Sequence, residues 1–294
     1  MHTEAIFVNL KQWEKRGGFF MAKNKYSTSD LKFQEWINQG RGSGRNEAYK
    51  PWLTVRDVPS EGRSHRIFGH KSQRTHHFLS DLELAVFLLL EWQTDIVEIR
   101  EQFPLQREIT LELAKKSGIA HPEVAGVIQY MSSDFLVNSL DREMPKFALQ
   151  AKYAEDLTVP RTIEKLELER RYWEQKGVPW FLVTEKDIPK VVFKNINWLY
   201  PAQRIGSDEE LLIQRTQFYS TQFKKYPENT LVEICKQIDA AYELELGESL
   251  GEIRELLAKR CFKFDIFRPV TELKAVELEL GNVPLLTEAL HVAN

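Results

Sequence analysis

The chain has 294 residues, of which 43% are hydrophobic and 28% charged, with a formal net charge of −3. That length allows one large core or two ordinary domains, and the composition excludes a disordered chain. No stretch approaches the roughly 18 uninterrupted apolar residues of a membrane helix. The first twenty residues, with Glu4, Lys11, Glu14, Lys15 and Arg16, lack the apolar run of a signal peptide.

The charge is unevenly spread. Residues 21–80 carry eleven Lys or Arg against five Asp or Glu, whereas residues 81–294 carry a net −10. A basic front on an acidic protein is a footprint suited to a polyanion, and basic surface is also simply solvated surface. Residues 40–46, Gly-Arg-Gly-Ser-Gly-Arg-Asn, have no periodicity and predict a flexible basic loop. Residues 62–77 hold Arg63, His65, Arg66, His70, Lys71, Arg74, His76 and His77 and no acid. Without a helical i, i+4 pair backed by a carboxylate, a zinc site is disfavoured. The run reads either as phosphate-contacting or as a hydrated hairpin. Arg41, Arg45, Arg63, His65, Arg66, Lys71 and Arg74 are the candidate DNA contacts.

From Ser80 to about Trp92 the chain predicts a buried helix, almost wholly apolar between Leu84 and Leu90. A Pro-punctuated segment at 103–122 follows. Asp134-Phe-Leu-Val137 and Lys146-Phe-Ala-Leu-Gln-Ala-Lys152 read as two strands joined by a polar turn. Residues 161–176 make a charged helix stopped by Gly177, and Val178-Pro-Trp-Phe-Leu-Val183 is a third strand. Helix, hairpin, crossover helix and strand form an α/β layout. On that helix Glu164, Glu167 and Glu169 alternate with Lys165, Arg170 and Arg171, which predicts a solvated face. Trp36, Trp52, Trp92, Trp173 and Trp180 read mostly as core.

After about residue 188 the character changes. Helices are expected over 207–225, 230–245 and 248–260, then a strand at 261–268. Three helices and a strand follow a winged-helix order. The net −6 of residues 207–294 suits a protein-docking domain better than a DNA anchor. Cys235 and Cys261 match no zinc spacing and read as reduced, buried thiols, from which a cytoplasmic location follows.

The chemistry-bearing residues are Glu83 on the buried helix, Asp134 opening the first strand, and Gln150 and Lys152 closing the second. In an antiparallel hairpin the start of one strand lies beside the end of its neighbour, and residues two apart share a face. Asp134, Gln150 and Lys152 therefore converge. Two carboxylates plus the Gln150 oxygen suit Mg²⁺, and the Lys152 ammonium suits a water or a pentacovalent transition state. Each residue also has a plain reading. Ser80-x-x-Glu83 is a capping box, Asp134 could merely pair with Lys152 at a strand end, and Gln150 alone is uninformative.

Ser133-Asp134 followed by Gln150-Ala151-Lys152 resembles the P-D…(D/E)-x-K signature of type II restriction enzymes, with Ser for Pro and Gln for the second acid. Both departures are the habit of the TnsA endonuclease family of Tn-seven-like transposases. The resemblance extends over Pro51-Trp-Leu-Thr-Val55, Gly62-Arg-Ser-His-Arg66, Ser80-Asp-Leu-Glu-Leu-Ala-Val-Phe87, Asp95 with Arg100-Glu-Gln-Phe-Pro104, Ser133-Asp-Phe-Leu-Val137, Glu164-Lys-Leu-Glu-Leu-Glu-Arg-Arg-Tyr-Trp173 and Tyr242-Glu-Leu-Glu-Leu-Gly247. It leaves out residues 1–20 and makes Met21-Ala-Lys23 the candidate natural start.

The resemblance implies an α/β restriction-endonuclease-like catalytic domain over 21–188 and a mostly helical, winged-helix-like docking domain over 189–294. Glu83, Asp134, Gln150 and Lys152 fall at the family's catalytic positions, the first three as metal ligands for Mg²⁺, with Mn²⁺ able to replace it. The implied activity, in the bacterial cytoplasm, is cleavage of the 5′ strands in double-stranded DNA at transposon ends. The implied partners are a TnsB-like DDE transposase, which cuts and joins the 3′ strands, and a TnsC-like ATPase regulator docked through the C-terminal domain. A stand-alone restriction or repair endonuclease and a catalytically silent adaptor remain the competing readings.

Overall fold

The computed structural model describes residues 29–57 and 63–281. The expected N-terminal extension, the candidate start at Met21 and Gly62 lie outside them. The chain forms two compact units, which meet in sequence between Ile188 and Pro189.

The first unit opens with α1 (Asp30–Asn38), capped by the Ser29 hydroxyl, and a hairpin of β1 (His65–Gly69) and β2 (Arg74–Phe78). Helix α2 (Asp81–Trp92) begins where the Ser80 hydroxyl accepts the Glu83 N–H at 3.1 Å, and it is buried along most of its length, as its apolar run predicts. Then come β3 (Ile96–Pro104), α3 (Arg107–Ser117), a small hairpin of β4 (Glu123–Val124) and β5 (Val127–Ile128), β6 (Ser132–Ser139), β7 (Lys146–Ala151), α4 (Pro160–Gln175) and β8 (Trp180–Val183).

A mixed four-stranded sheet in the order β3-β6-β7-β8 is the frame of this unit. The first two pairings are antiparallel, while β7 and β8 run parallel with α4 as the crossover. Both faces of the sheet are covered. Phe135 packs on Phe78 of the hairpin, whereas its neighbour Leu136 joins Ala148, Leu105, Tyr172 and Trp173 on the α4 side. Central strands covered twice are buried without alternation, and β6 is buried continuously from Ser133 to Val137.

Several elements depart from the sequence reading. Strand β3 and helix α3 occupy ground that prolines make look irregular, and the second strand stops at Ala151, so Lys152 stands one residue beyond it. The Lys152 N–H still donates to the Val183 carbonyl at 3.0 Å, which keeps the residue in line with the sheet. The expected flexible loop at 40–46 is a set of tight turns. Gly42 N–H donates to the Lys50 carbonyl, and Gly44 sits at φ +89° where a Cβ would come within 2.3 Å of the Ala48 oxygen.

The second unit holds α5 (Lys190–Leu199), α6 (Glu209–Lys225), α7 (Leu231–Ala241) and α8 (Glu248–Ala258), joined by a two-stranded sheet of β9 (Phe262–Lys263) and β10 (Glu279–Leu280). The strand expected at 261–268 is thus only two residues long. Helix α7 starts at a capping box made by Thr230 and Glu233. Cys235 and Cys261 are buried and free.

Glu91 is buried near the end of α2, with the Lys71 N–H as a long donor at 3.4 Å. Burial pushes its carboxyl from 4.5 up to about 7. A carboxyl with a raised folded pKa favours folding while protonated. That contribution is fully present below the unfolded value of 4.5 and is lost as the pH rises through about 7. Glu91→Gln keeps an acceptor and removes the charge. In thermal denaturation the variant is expected to melt above wild type at pH 8, by about 2–4 °C per kcal/mol recovered, and level with it near the carboxyl's unfolded pKa.

Candidate active site

The hairpin of β6 and β7 pairs Phe135 with Leu149, which puts Asp134 across from Gln150. The two are locked reciprocally. Asp134 N–H donates to Gln150 Oε1 at 3.0 Å, and Ala151 N–H donates to Asp134 Oδ2 at 2.8 Å. The Lys152 ammonium reaches the same Oδ2 at 3.9 Å. Glu83 arrives from the first turn of α2, where one oxygen accepts the Leu79 N–H at 3.0 Å and the other the Ser80 hydroxyl at 3.0 Å. The capping role and the inward position therefore coexist in one carboxylate. All four sequence-predicted residues face one locus.

A fifth residue, which the sequence reading does not single out, joins the two carboxylates. Gln102 lies on β3 between the Glu101–Phe135 and Phe103–Ser133 pairs, opposite Asp134. Its Nε2 donates to Glu83 Oε2 at 3.2 Å and to Asp134 Oδ1 at 3.3 Å, while its Oε1 accepts the Ser132 hydroxyl at 3.2 Å. Gln102 is 2% exposed, and its backbone has φ +48°, in the left-handed region that a non-glycine strand residue rarely enters.

Burial and the facing Asp134 charge both push the Glu83 carboxyl upward. Lys152 is raised as well, first by the Asp134 charge, so it carries its proton at neutral pH. A divalent cation between the carboxylates would relieve both the burial and the repulsion. Among the described residues no three His, Cys, Asp or Glu side chains cluster as a metal site. A third protein ligand here therefore has to be an amide or backbone oxygen. Two carboxylates and an amide form an all-oxygen set, which suits a hard cation that keeps several waters and not zinc.

Behind the site β3 is clamped. Glu101 is fully buried and receives both arms of the Arg74 guanidinium and the His76 Nδ1 at 2.8 Å. Burial pushes Glu101 up, but the His76 and Arg74 contacts more than offset it and hold the carboxyl far below its usual range. Burial pushes His76 down, so it donates as a neutral imidazole, and Arg74 supplies the permanent charge. Ser72 at 2.6 Å from His76 Nε2 completes a Ser–His–Glu order, but Ser72 is 1% exposed, and the chain of bonds is a brace rather than a nucleophile. Tyr49 Oη donates to the Glu101 carbonyl, and Trp52 N–H to the Gln102 carbonyl.

On the other side Glu169 corrects the reading of α4. It is 3% exposed, not solvated, and its Oε1 accepts the Ser133 hydroxyl at 2.6 Å and the Trp180 indole N–H at 2.9 Å. Burial pushes it up to about 8. Trp173 donates to the same Ser133 hydroxyl at 2.7 Å, so the residue preceding Asp134 is fixed by two groups.

The candidate DNA contacts separate. Arg74, at 8% exposure, faces Glu101, and Arg41 is bound to Asp57 at 2.7 Å and lies over the Trp36 ring. Both are structural. Arg63 and His65 clasp Asp81 at the start of α2, at 2.8 and 2.6 Å, and Arg45 pairs with buried Glu98 while staying largely exposed. Lys71 is half-buried near Glu91. Arg66 is exposed and has no ion-pair partner among the described residues.

Comparison with known proteins decides the family. Residues 93–185 match the model of the TnsA-like endonuclease N terminal, and residues 187–266 match that of the TnsA endonuclease C terminal. The chain is similar to the transposon Tn7 transposition protein TnsA of Escherichia coli, 48% identical over 274 residues, covering 93% of this chain and all of that one. The chain belongs to the TnsA endonuclease family. A member of that family is an endonuclease subunit of a cut-and-paste transposase.

Arg74 and Arg66 give a paired test of the brace and the surface. Arg74→Ala leaves the buried Glu101 without its permanent countercharge, with only neutral donors on it, a loss of about 3–5 kcal/mol that denaturant unfolding measures. Arg66→Ala is expected to leave the unfolding midpoint unchanged and to weaken DNA binding in a salt-dependent way. A stable Arg74→Ala protein defective only in DNA binding would return Arg74 to the contact set.

Proposed function

We propose that this chain hydrolyses the 5′ strands at transposon ends in a Mg²⁺-dependent reaction in which Mn²⁺ can replace Mg²⁺. The nuclease would be a restriction-endonuclease-like core followed by a winged-helix-like docking domain. The observation that carries this reading is the convergence of Glu83, Asp134, Gln150 and Lys152 at the end of one hairpin. A mixed sheet flanked by α2 and α4 supports the core assignment, and three successive helices before a small antiparallel two-stranded sheet support the second.

In this reading Glu83, Asp134 and the free lone pair of Gln150 Oε1 hold the cation. That cation would offset charge developing on the phosphate and make water a better nucleophile. Lys152, raised by Asp134, keeps its proton and acts as a cation. It orients the attacking water and stabilises transition-state charge; it does not abstract the proton. Glu169 and Trp173 hold Ser133, and through it the Asp134 backbone. A half-ångström error in such a carboxylate is costly in rate, which gives these buried bonds their function.

The 3′ strands fall to a TnsB-like DDE transposase, and a TnsC-like ATPase regulator is met through the second unit. The net −6 of residues 207–294 supports protein contact over DNA anchoring there. A stand-alone nuclease would cut without such partners, and a silent adaptor would tolerate loss of its carboxylates.

The test is cleavage of a plasmid carrying the element's ends, with Mg²⁺ and the cognate DDE transposase, by wild type and Asp134→Ala. Double-strand breaks from wild type and only 3′-strand nicks from the variant are expected. Equal breaks from both would instead favour the adaptor.

A further inference from the structure

The amide of Gln102 stands in a place that chemistry reserves for a cation. Its Nε2 donates at 3.2 Å to Glu83 and at 3.3 Å to Asp134, the two carboxylates assigned above to the metal. These acceptors have no other bridging donor among the described residues, since Lys152 reaches only Asp134, and from the Oδ2 side. The amide nitrogen faces the two carboxyl groups and donates to both, and the amide oxygen takes the Ser132 hydroxyl.

The backbone supplies independent evidence. Gln102 is held at φ +48° in mid-strand, a conformation that costs of the order of 1 kcal/mol or more and persists only where surroundings impose it. Those surroundings are the Trp52 N–H on its carbonyl and, one residue earlier, the Tyr49, Arg74 and His76 contacts to Glu101. The protein thus devotes a buried brace to one strained residue, whose side chain ends between two catalytic carboxylates.

We propose that Gln102 is a resident surrogate for the metal. Its amide holds the metal-free site together and must withdraw when a divalent cation loads. Amide and cation would compete for the same two carboxylates, Glu83 and Asp134. Gln102 therefore lowers apparent metal affinity and helps hold the two facing carboxyl groups in the metal-free protein. Withdrawal is easy for this residue, because the Ser132 hydroxyl rotates and can donate or accept as the amide turns.

The inference rests on the metal reading of Glu83 and Asp134, and the test separates the two. Mn²⁺ binding to the full chain without DNA is followed by the electron paramagnetic resonance of free Mn²⁺. The proteins are wild type, Asp134→Ala, Gln102→Leu and Gln102→Asn. Leu cannot donate, while Asn suits the left-handed backbone but withdraws its amide by one methylene.

Both Gln102 variants are expected to bind Mn²⁺ about tenfold more tightly than wild type, the worth of one charge-assisted hydrogen bond no longer in competition. Both should also melt lower than wild type without metal and approach it at saturating Mn²⁺. Unchanged or weaker Mn²⁺ binding in the variants overturns the inference, and weaker binding would make Gln102 a ligand. Retention of the site by Asp134→Ala overturns the metal reading itself. Should neither variant fold, the Gln102 side-chain ¹⁵N amide resonance of wild type decides. It is expected to move on Mg²⁺ titration with the binding midpoint, and a stationary resonance overturns the inference.

Discussion

Glu83 and Asp134 face one another inside the protein, each within hydrogen-bond reach of a single amide nitrogen. Two like charges in a poorly solvated place repel, so the fold around them has to supply compensation. It does so with fixed dipoles. Glu83 takes a backbone N–H and a hydroxyl at the start of a helix, where the dipole also favours a negative charge, and Asp134 takes the Ala151 N–H and the Lys152 ammonium. The helix start, the hairpin end and the left-handed Gln102 in β3 are three solutions to one electrostatic problem.

This constraint also explains the polar groups away from the locus. A four-stranded sheet with both faces covered ought to be apolar, yet Glu101 and Glu169 are buried on it. Each is satisfied by several donors and each holds a residue next to the site, Gln102 in one case and Ser133 in the other. Replacing such groups with hydrocarbon would often be neutral or favourable for stability alone. Their value is positional: they fix two adjacent strands where the carboxylates leave them.

How much of this was legible in the residues follows from the kind of pattern each part makes. Asp134, Gln150 and Lys152 were legible because strand arithmetic has a period of two and antiparallel ends meet, and the structure brings them together with Glu83. Strand β3 was not, because Glu98, Arg100, Glu101 and Gln102 break its apolar alternation and Pro104 closes it. Gln102 has no sequence signature, since its position depends on a positive φ that only packing can impose. Glu169 was hidden by its neighbours: in Glu164-Lys-Leu-Glu-Leu-Glu-Arg-Arg a single inward acid looks like the rest of a charged face. Arg74 was misread for the converse reason, because a basic run shows its charge but not that alternate hairpin residues point inward.

The amide at position 150 fits the same electrostatic argument. Restriction-type signatures place an acid there, and an acid would put a third carboxylate beside Asp134 with only Lys152 to offset it. As an amide, Gln150 still offers an oxygen, and that oxygen already accepts the Asp134 backbone N–H. A carboxylate could accept the same bond, so the hydrogen-bonding pattern alone does not select Gln. Charge does. With Glu83 already pushed upward by burial and by its neighbour, a neutral group is the one that places an oxygen there without adding to the repulsion that shapes the site.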